Sequence, residues 1–164
     1  LVNNAGVGGP LAFVEQDTIE NWQRQYEINL RSIMLGAKHA MPHLRASAPA
    51  SIINISSAIT HVSTPAAAVY SGTKGAVNAI SGVLANELAP RRIRVNTVSP
   101  GYVVTEGTHT AGITGSEMEA GFVAQTPLGR AGHPGDIADV VAFLASDEAR
   151  WLTGENITTS GGIR

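Results

Sequence analysis

"SIINISSAITHVSTPAAAVYSGTKGAVNAISGVLANELAPRRIRVNTVSPG", residues Ser51–Gly101, decides the fold. Its first six residues, SIINIS (Ser51–Ser56), form an isoleucine-rich apolar run of strand length. An alanine-rich stretch from about Ala66 to Leu88 reads as a long helix, halted by Pro90. IRVNTVS (Ile93–Ser99) is the next strand, cut by Pro100-Gly101. Strand, long helix, strand is the unit of a parallel sheet, because two parallel neighbours need a crossover of a dozen or more residues between them.

The alternation continues outward on both sides. Upstream, LVNN (Leu1–Asn4) reads as the C-terminal end of a strand whose turn begins at Ala5-Gly6. Asp17 is placed to cap a helix, with Glu20 three residues on to complete a capping box. Trp22, Tyr26, Ile33, Ala37, Ala40 and Leu44 then recur at helical spacing, and Pro42 with the Ser47–Ala50 stretch ends that helix. Downstream, residues 102–126 are polar, glycine-rich and aperiodic, with one short helix near Ser116–Val123. A loop of that length inside a compact domain reads as a lid or binding element. Gly135-Asp136 leads into a helix through Leu144, and ENITTSGG (Glu155–Gly162) is the last strand. The order β-α-β-α-β-loop-α-β predicts an α/β fold, a parallel sheet with right-handed crossovers and helices on both faces. Ligands of such sheets bind outside the C-terminal strand ends, where Asn3-Asn4, Ser56-Ser57 and Ser99-Pro100-Gly101 gather polar groups.

Composition narrows the function. With 11 Lys and Arg against 13 Asp and Glu, the chain of 164 residues is too evenly charged to point to nucleic acid or an anionic membrane. No apolar run approaches the ~20 residues of a membrane span. The absence of cysteine excludes disulfides and thiolate metal sites and fits a reducing cytoplasm. No repeat, low-complexity tract or linker divides the chain, so it reads as one domain or part of one.

Tyr70 and Lys74, four apart on the long helix, share one face about a turn apart. A phenol beside a fixed ammonium has its phenolate stabilised, and moving its pKa from about 10 to about 7 needs roughly 4 kcal/mol. The expected result is a tyrosine that exchanges a proton near neutral pH. Ser57, at the end of the preceding strand, is placed to donate a hydrogen bond to an oxygen held by Tyr70. Such a Tyr–Lys pair, taken alone, more often marks an exposed amphipathic face.

The pair has company. NNAG (Asn3–Gly6), INISS (Ile53–Ser57), YSGTK (Tyr70–Lys74), IRVNTVSPG (Ile93–Gly101) and LTGENITTSGG (Leu152–Gly162) occur in the order and spacing of the short-chain dehydrogenase/reductase family, which the chain resembles along essentially its whole length. The resemblance implies a Rossmann-like doubly wound sheet, here strands four to seven of the family sheet. It implies an NAD- or NADP-dependent oxidoreductase interconverting an alcohol and a ketone, 3-oxoacyl reductase-like or sugar/alcohol dehydrogenase-like. Tyr70 would be the proton donor or base, Lys74 would hold the nicotinamide ribose and lower the Tyr70 pKa, and Ser57 would polarise the substrate oxygen. Asn29 would bend its helix and anchor a water that relays protons to Lys74. Asn4, Ala5 and Gly6 would lie along the adenosine half of the cofactor. Gly101, Val103 and Thr105 would meet the nicotinamide end, Val103 through its backbone. Tyr102, His109 and Phe122 would shape the substrate pocket. The resemblance also implies a homo-oligomer, dimer or tetramer, paired through helices at about 18–45 and 66–88. One departure is visible: Ser160 stands where the last motif usually has Asp, a change expected at the sheet end or a subunit contact.

Other readings are weaker. Gly6 and Gly8 give G-x-G, but Leu11 and Pro10 break the dinucleotide fingerprint, and no helix starts at once. Ser57 with His61 or His109 could suggest a serine hydrolase, yet no G-x-S-x-G elbow exists and His61 reads as a loop residue near the substrate. His39 and His43 lack a third metal ligand, so no metal site is expected. Asp147, Glu148 and Arg150 read as a solvated turn, and Trp151 as a core or interface plug.

The family's TGxxxGxG loop, and the residue that selects NAD or NADP, would precede NNAG. The chain therefore reads as the C-terminal part (residues 1–164) of a single dinucleotide-binding oxidoreductase domain. By itself it is expected to be poorly stable and unable to bind NAD(H) or NADP(H). The alternative function is a non-catalytic fragment or scaffold that cannot bind a cofactor by itself.

Overall fold

Isoleucines and valines alternate faces along the strands, and that alternation builds two cores. In the computed structural model, which describes residues 1–163, β1 (Val2–Asn3), β2 (Ala50–Ile55), β3 (Ile93–Pro100) and β4 (Asn156–Thr159) form one sheet in the order β1-β2-β3-β4. All three strand pairs are parallel, with Ile53 opposite Val2 and Asn96 opposite Ile53. Ile52, Ile93 and Val95 point to one face. There they pack with Ala37 and Leu44 of α2 (Ser32–Ala46) and Ala85 and Leu88 of α3 (Ala68–Leu88). Ile53 and Val98 point to the other face and meet Leu144 of α6 (Pro134–Ala145) and Ala149. Helices thus cover both faces of the sheet, as expected.

The crossovers are not all of one hand. The chain steps β1 to β2 to β3 to β4 in a single direction, with α2 and α3 on one face but α6 on the other. The third crossover therefore has the opposite hand to the first two. Its connection, residues 101–155, is long and passes through two further helices, so the short-crossover packing that selects right-handedness does not constrain it.

The helix before β2 also differs from the periodic reading. Thr18, not Asp17, is the N-cap: its Oγ1 accepts from the Asn21 amide at 3.1 Å, while Asp17 Oδ1 accepts from the Thr18 amide and from Asn21 Nδ2. α1 (Ile19–Tyr26) then passes into one turn of π-helix at Glu27–Arg31 before α2 begins. That wider turn shifts the inner face. Asn29 and Gln25 continue the stripe of Ile33, Ala37 and Leu44, whereas Trp22 and Tyr26 are turned out, 44% and 53% exposed. Pro42 does not end the helix; it sits on an exposed side of α2, which continues to Ala46.

Two short helices occupy the loop after β3. α4 (Glu106–Thr110) is capped by Thr105 in a reciprocal box with Thr108, and α5 (Glu117–Gln125) is capped by Ser116. Trp151 is 96% exposed, so it is not a core residue. Among the described residues no helix is long and apolar enough to cross a membrane, and no group of three metal-binding side chains occurs.

Candidate active site

The parallel strands all end on one edge, and the first turn of α3 lies against it. Ser56, the residue after β2, is buried and donates through Oγ to the Lys74 carbonyl at 3.0 Å. Lys74 Nζ donates in return to the Ile55 carbonyl at 2.9 Å. These two bonds pin the Tyr70–Lys74 turn to the end of β2. Tyr70 and Lys74 are close enough for the ammonium to sit 5.8 Å from the Tyr70 ring centre. Ser57 caps the short helical turn Ala58–Thr60, its Oγ accepting from the Ile59 amide at 3.2 Å and reaching the Tyr70 phenol.

These side chains line one open cleft of about 560 Å³. Its walls include Ser57, Tyr70 and Lys74, with Asn4 and Gly6 from the turn after β1 and Gly101, Val103 and Thr105 from the segment after β3. Ala5 is exposed between Asn4 and Gly6 and is not part of the wall. Asn29 lies beneath it, fully buried. Its Oδ1 accepts from the Val7 amide at 2.7 Å, and its Nδ2 donates to the Val7 carbonyl at 2.9 Å and to Thr73 Oγ1 at 3.1 Å. The side chain thus clamps the loop after β1, and the π-turn is what aims it there. His61 lies elsewhere, in a second cavity of about 790 Å³ with Pro127, Leu128 and Thr158–Ile163, and does not line the Tyr70 cleft. Phe122 is likewise absent from the cleft wall but stacks on Tyr102, which lines it, with ring centres 5.0 Å apart.

Electrostatics set the pair in an unexpected direction. Burial pushes Lys74 down to about 8. Burial also raises the Tyr70 phenol above its ordinary value, and the Ser57 hydrogen bond only partly opposes it. The expected fall of Tyr70 toward 7 is therefore not produced by these residues alone. Burial penalises a lone phenolate more than the Ser57 hydrogen bond favours it.

Small residues keep the cleft open. A Cβ on Gly6 would meet Lys74 Nζ at 3.2 Å and Asn29 Oδ1 at 3.4 Å. A Cβ on Gly101 would come within 2.8 Å of Ser160 Cα, where β3 and β4 run side by side. Ser160 itself donates through Oγ to the Ile163 carbonyl at 2.9 Å, which fastens the end of the sheet. Val103 pairs with Gly132, but both bonds of that bridge use Gly132: its amide donates to the Tyr102 carbonyl and its carbonyl accepts from the Val104 amide. The N–H and C=O of Val103 therefore face away from Gly132. A buried ammonium with no carboxylate partner among the described residues, a cradle that a Cβ would fill and an outward-turned backbone amide suit a polar, hydrogen-bonding cofactor such as a nicotinamide dinucleotide.

The sequence marked Ser56 only as one of the polar groups at the strand ends and did not mark Thr73, though both flank the chosen residues. Their signal was position: a hydroxyl beside Ser57 and another beside Lys74.

The fold and this cleft define a Rossmann-like α/β protein with a Ser–Tyr–Lys centre at the strand ends. A family model described as "Enoyl-(Acyl carrier protein) reductase" matches residues 1–164. The chain is 66% identical over 164 residues to an "Uncharacterized oxidoreductase" of Methylorubrum extorquens, covering 100% of this chain and 65% of that protein. It is 38% identical over 162 residues to a cyclopentanol dehydrogenase of Comamonas sp., covering 99% of this chain and 64% of that one. Among solved structures, the angucycline C-6 ketoreductase LanV with bound NADP superposes with a TM-score of 0.89 at 35% identity, covering 99% of this chain and 61% of LanV. The chain belongs to the short-chain dehydrogenase/reductase family. It spans 65% and 64% of the length of the two curated relatives named.

Proposed function

We propose that the protein carrying this chain is an NAD(P)-dependent oxidoreductase that interconverts an alcohol and a ketone, with Tyr70 handling the proton. One observation carries the reading: Ser57, Tyr70 and Lys74 share a cleft wall, and the lysine is buried without an acidic partner among the described residues. In reduction, the Tyr70 hydroxyl gives its proton to the carbonyl oxygen as that oxygen becomes an alcohol; in oxidation it takes the proton back. The Ser57 hydroxyl supplies a second hydrogen bond to the same oxygen, where charge develops. The Lys74 ammonium, oriented by the Ile55 carbonyl, stabilises the phenolate that remains. A bound nicotinamide cofactor supplies or accepts the hydride; Asn4, Ala5, Gly6, Tyr70, Lys74, Gly101, Val103 and Thr105 are the residues that would hold it. Asn29 holds the Val7 loop, and so the Asn4–Gly6 turn, against this wall. Proton relay to Lys74 near Asn29 belongs to the same proposal.

The substrate class is a small carbonyl or alcohol. The similarity to a cyclopentanol dehydrogenase and to an angucycline C-6 ketoreductase supports cyclic members of that class. We further propose a homo-oligomer in the cytoplasm. Trp22, Tyr26, Leu35 and Val83 are exposed on α1, α2 and α3, where helices of a second copy can pack.

Purified full-length protein, offered NADPH or NADH with a panel of cyclic and open-chain ketones, should oxidise the cofactor only when a ketone is present. No turnover across the panel, or in the reverse direction with the corresponding alcohols, would contradict the assignment; failure to bind either cofactor as well would favour the non-catalytic scaffold.

A further inference from the structure

We propose that Thr73 is a positioning residue for Tyr70, acting as the bridge between the Asn29 clamp and the helical turn that carries the reacting phenol. The inference rests on the role of Tyr70 proposed above. Thr73 is buried, 8% exposed. The hydroxyl donates to the Tyr70 carbonyl at 2.9 Å and accepts from Asn29 Nδ2 at 3.1 Å. Asn29 spends its other two bonds on both backbone groups of Val7. A continuous chain of hydrogen bonds thus runs from the loop after β1, through the π-turn, into the first turn of α3.

Each link has a defined direction. The two Nδ2 protons of Asn29 go to the Val7 carbonyl and the Thr73 hydroxyl, and the single hydroxyl proton of Thr73 goes to the Tyr70 carbonyl. Lys74 is held from the opposite side by Ser56 and Ile55. Without the Thr73 hydroxyl, the Lys74 end of the turn stays fastened and the Tyr70 end keeps its helical bonds but loses its link to Asn29. A back-bonded threonine also bends the helix locally, so the bond sets where the Tyr70 ring points. Thr73 does not line the cleft; it acts through the backbone of Tyr70.

The test compares T73V, T73S and Tyr70→Phe in the full-length protein. T73V keeps the shape and removes the hydroxyl. It should lower kcat about tenfold or more, since small misplacements of a reacting group cost that much, while KM for the ketone changes less than about threefold; Tm should fall by several degrees, because a buried Asn29 N–H loses its acceptor. Its pH–rate profile should shift, because the phenol sits in a different field. Independently of turnover, hydrogen exchange at the Val7 amide should accelerate as Asn29 loses one anchor. T73S, which keeps the hydroxyl, should recover kcat and pH profile to within about twofold of the parent. If T73V does not fold, T73A serves the same arm. Parent-like kcat and pH profile in T73V, or an equal loss in T73S, would overturn the proposal. Retained turnover in Tyr70→Phe would instead sink the reading of Tyr70 itself, whatever Thr73 does.

Discussion

Lys74 Nζ stands 5.8 Å from the centre of the Tyr70 ring while donating a 2.9 Å hydrogen bond to the Ile55 carbonyl. One helical turn brings the two side chains to the same wall, and the end of β2 fixes the ammonium there. The same burial that shapes the site weakens the charge it displays, because Lys74 is pushed down to about 8.

That shift makes stability depend on pH. Lys74 ordinarily titrates at 10.5, so between about pH 8 and 10 an unfolded chain binds a proton that the folded chain has released. Stability therefore rises with pH across that window, and below it the fold carries the cost of a buried ammonium. Lys74→Met should remove this upward trend and raise stability near pH 7. Thermal unfolding of both proteins at a series of pH values tests it, and parallel curves would contradict the assignment.

Asn29→Ala removes three hydrogen bonds and strands the backbone groups of Val7. The expected loss is about 2–4 kcal/mol, because buried groups left unpaired cost more than the net value of the bonds. Denaturant unfolding measures it; a loss below about 0.5 kcal/mol would mean that water replaces the amide without penalty.

Gly101→Ala should destabilise by about 1–3 kcal/mol, since the new Cβ falls against Ser160 backbone and not against a movable side chain. The strands β3 and β4 must part to admit it. Equal midpoints in urea for the two proteins would refute this.

Trp151 offers a test of assembly. Its side chain is 96% exposed, so Trp151→Ser should change the stability of one subunit by no more than about 0.5 kcal/mol. If a second copy covers this indole, the same change should shift sedimentation toward smaller species. An unchanged distribution would place the subunit contact elsewhere.

Periodicity and turn residues were enough to read the sheet. Ile52 and Ile53, Ile93 and Val95, Pro90 and Pro100-Gly101 fix strand length and facing by local rules, and the four strands fall where those rules put them. The gathering of Ser57, Tyr70 and Lys74 was legible because i,i+4 spacing and a strand end are local facts too. What escaped was set by tertiary contact. The π-turn at Glu27–Arg31 keeps a helical pattern in sequence but rotates Trp22 and Tyr26 outward, and only the bonds of Asn29 to Val7 and Thr73 reveal its purpose. Choosing Thr18 over Asp17 as the cap depends on which oxygen meets the Asn21 amide. The hand of the last crossover depends on α6 packing against Ile53 and Val98, a choice that no local pattern encodes. The direction of the Tyr70 shift depends on burial, which spacing does not report.

The most direct test of the central claim is turnover by Tyr70→Phe in the full-length protein, measured together with binding of the nicotinamide cofactor. Cofactor affinity should stay within a few-fold of the parent while kcat falls by about 10²-fold or more, the usual scale for a lost proton donor. Parent-like kcat with intact binding would contradict it.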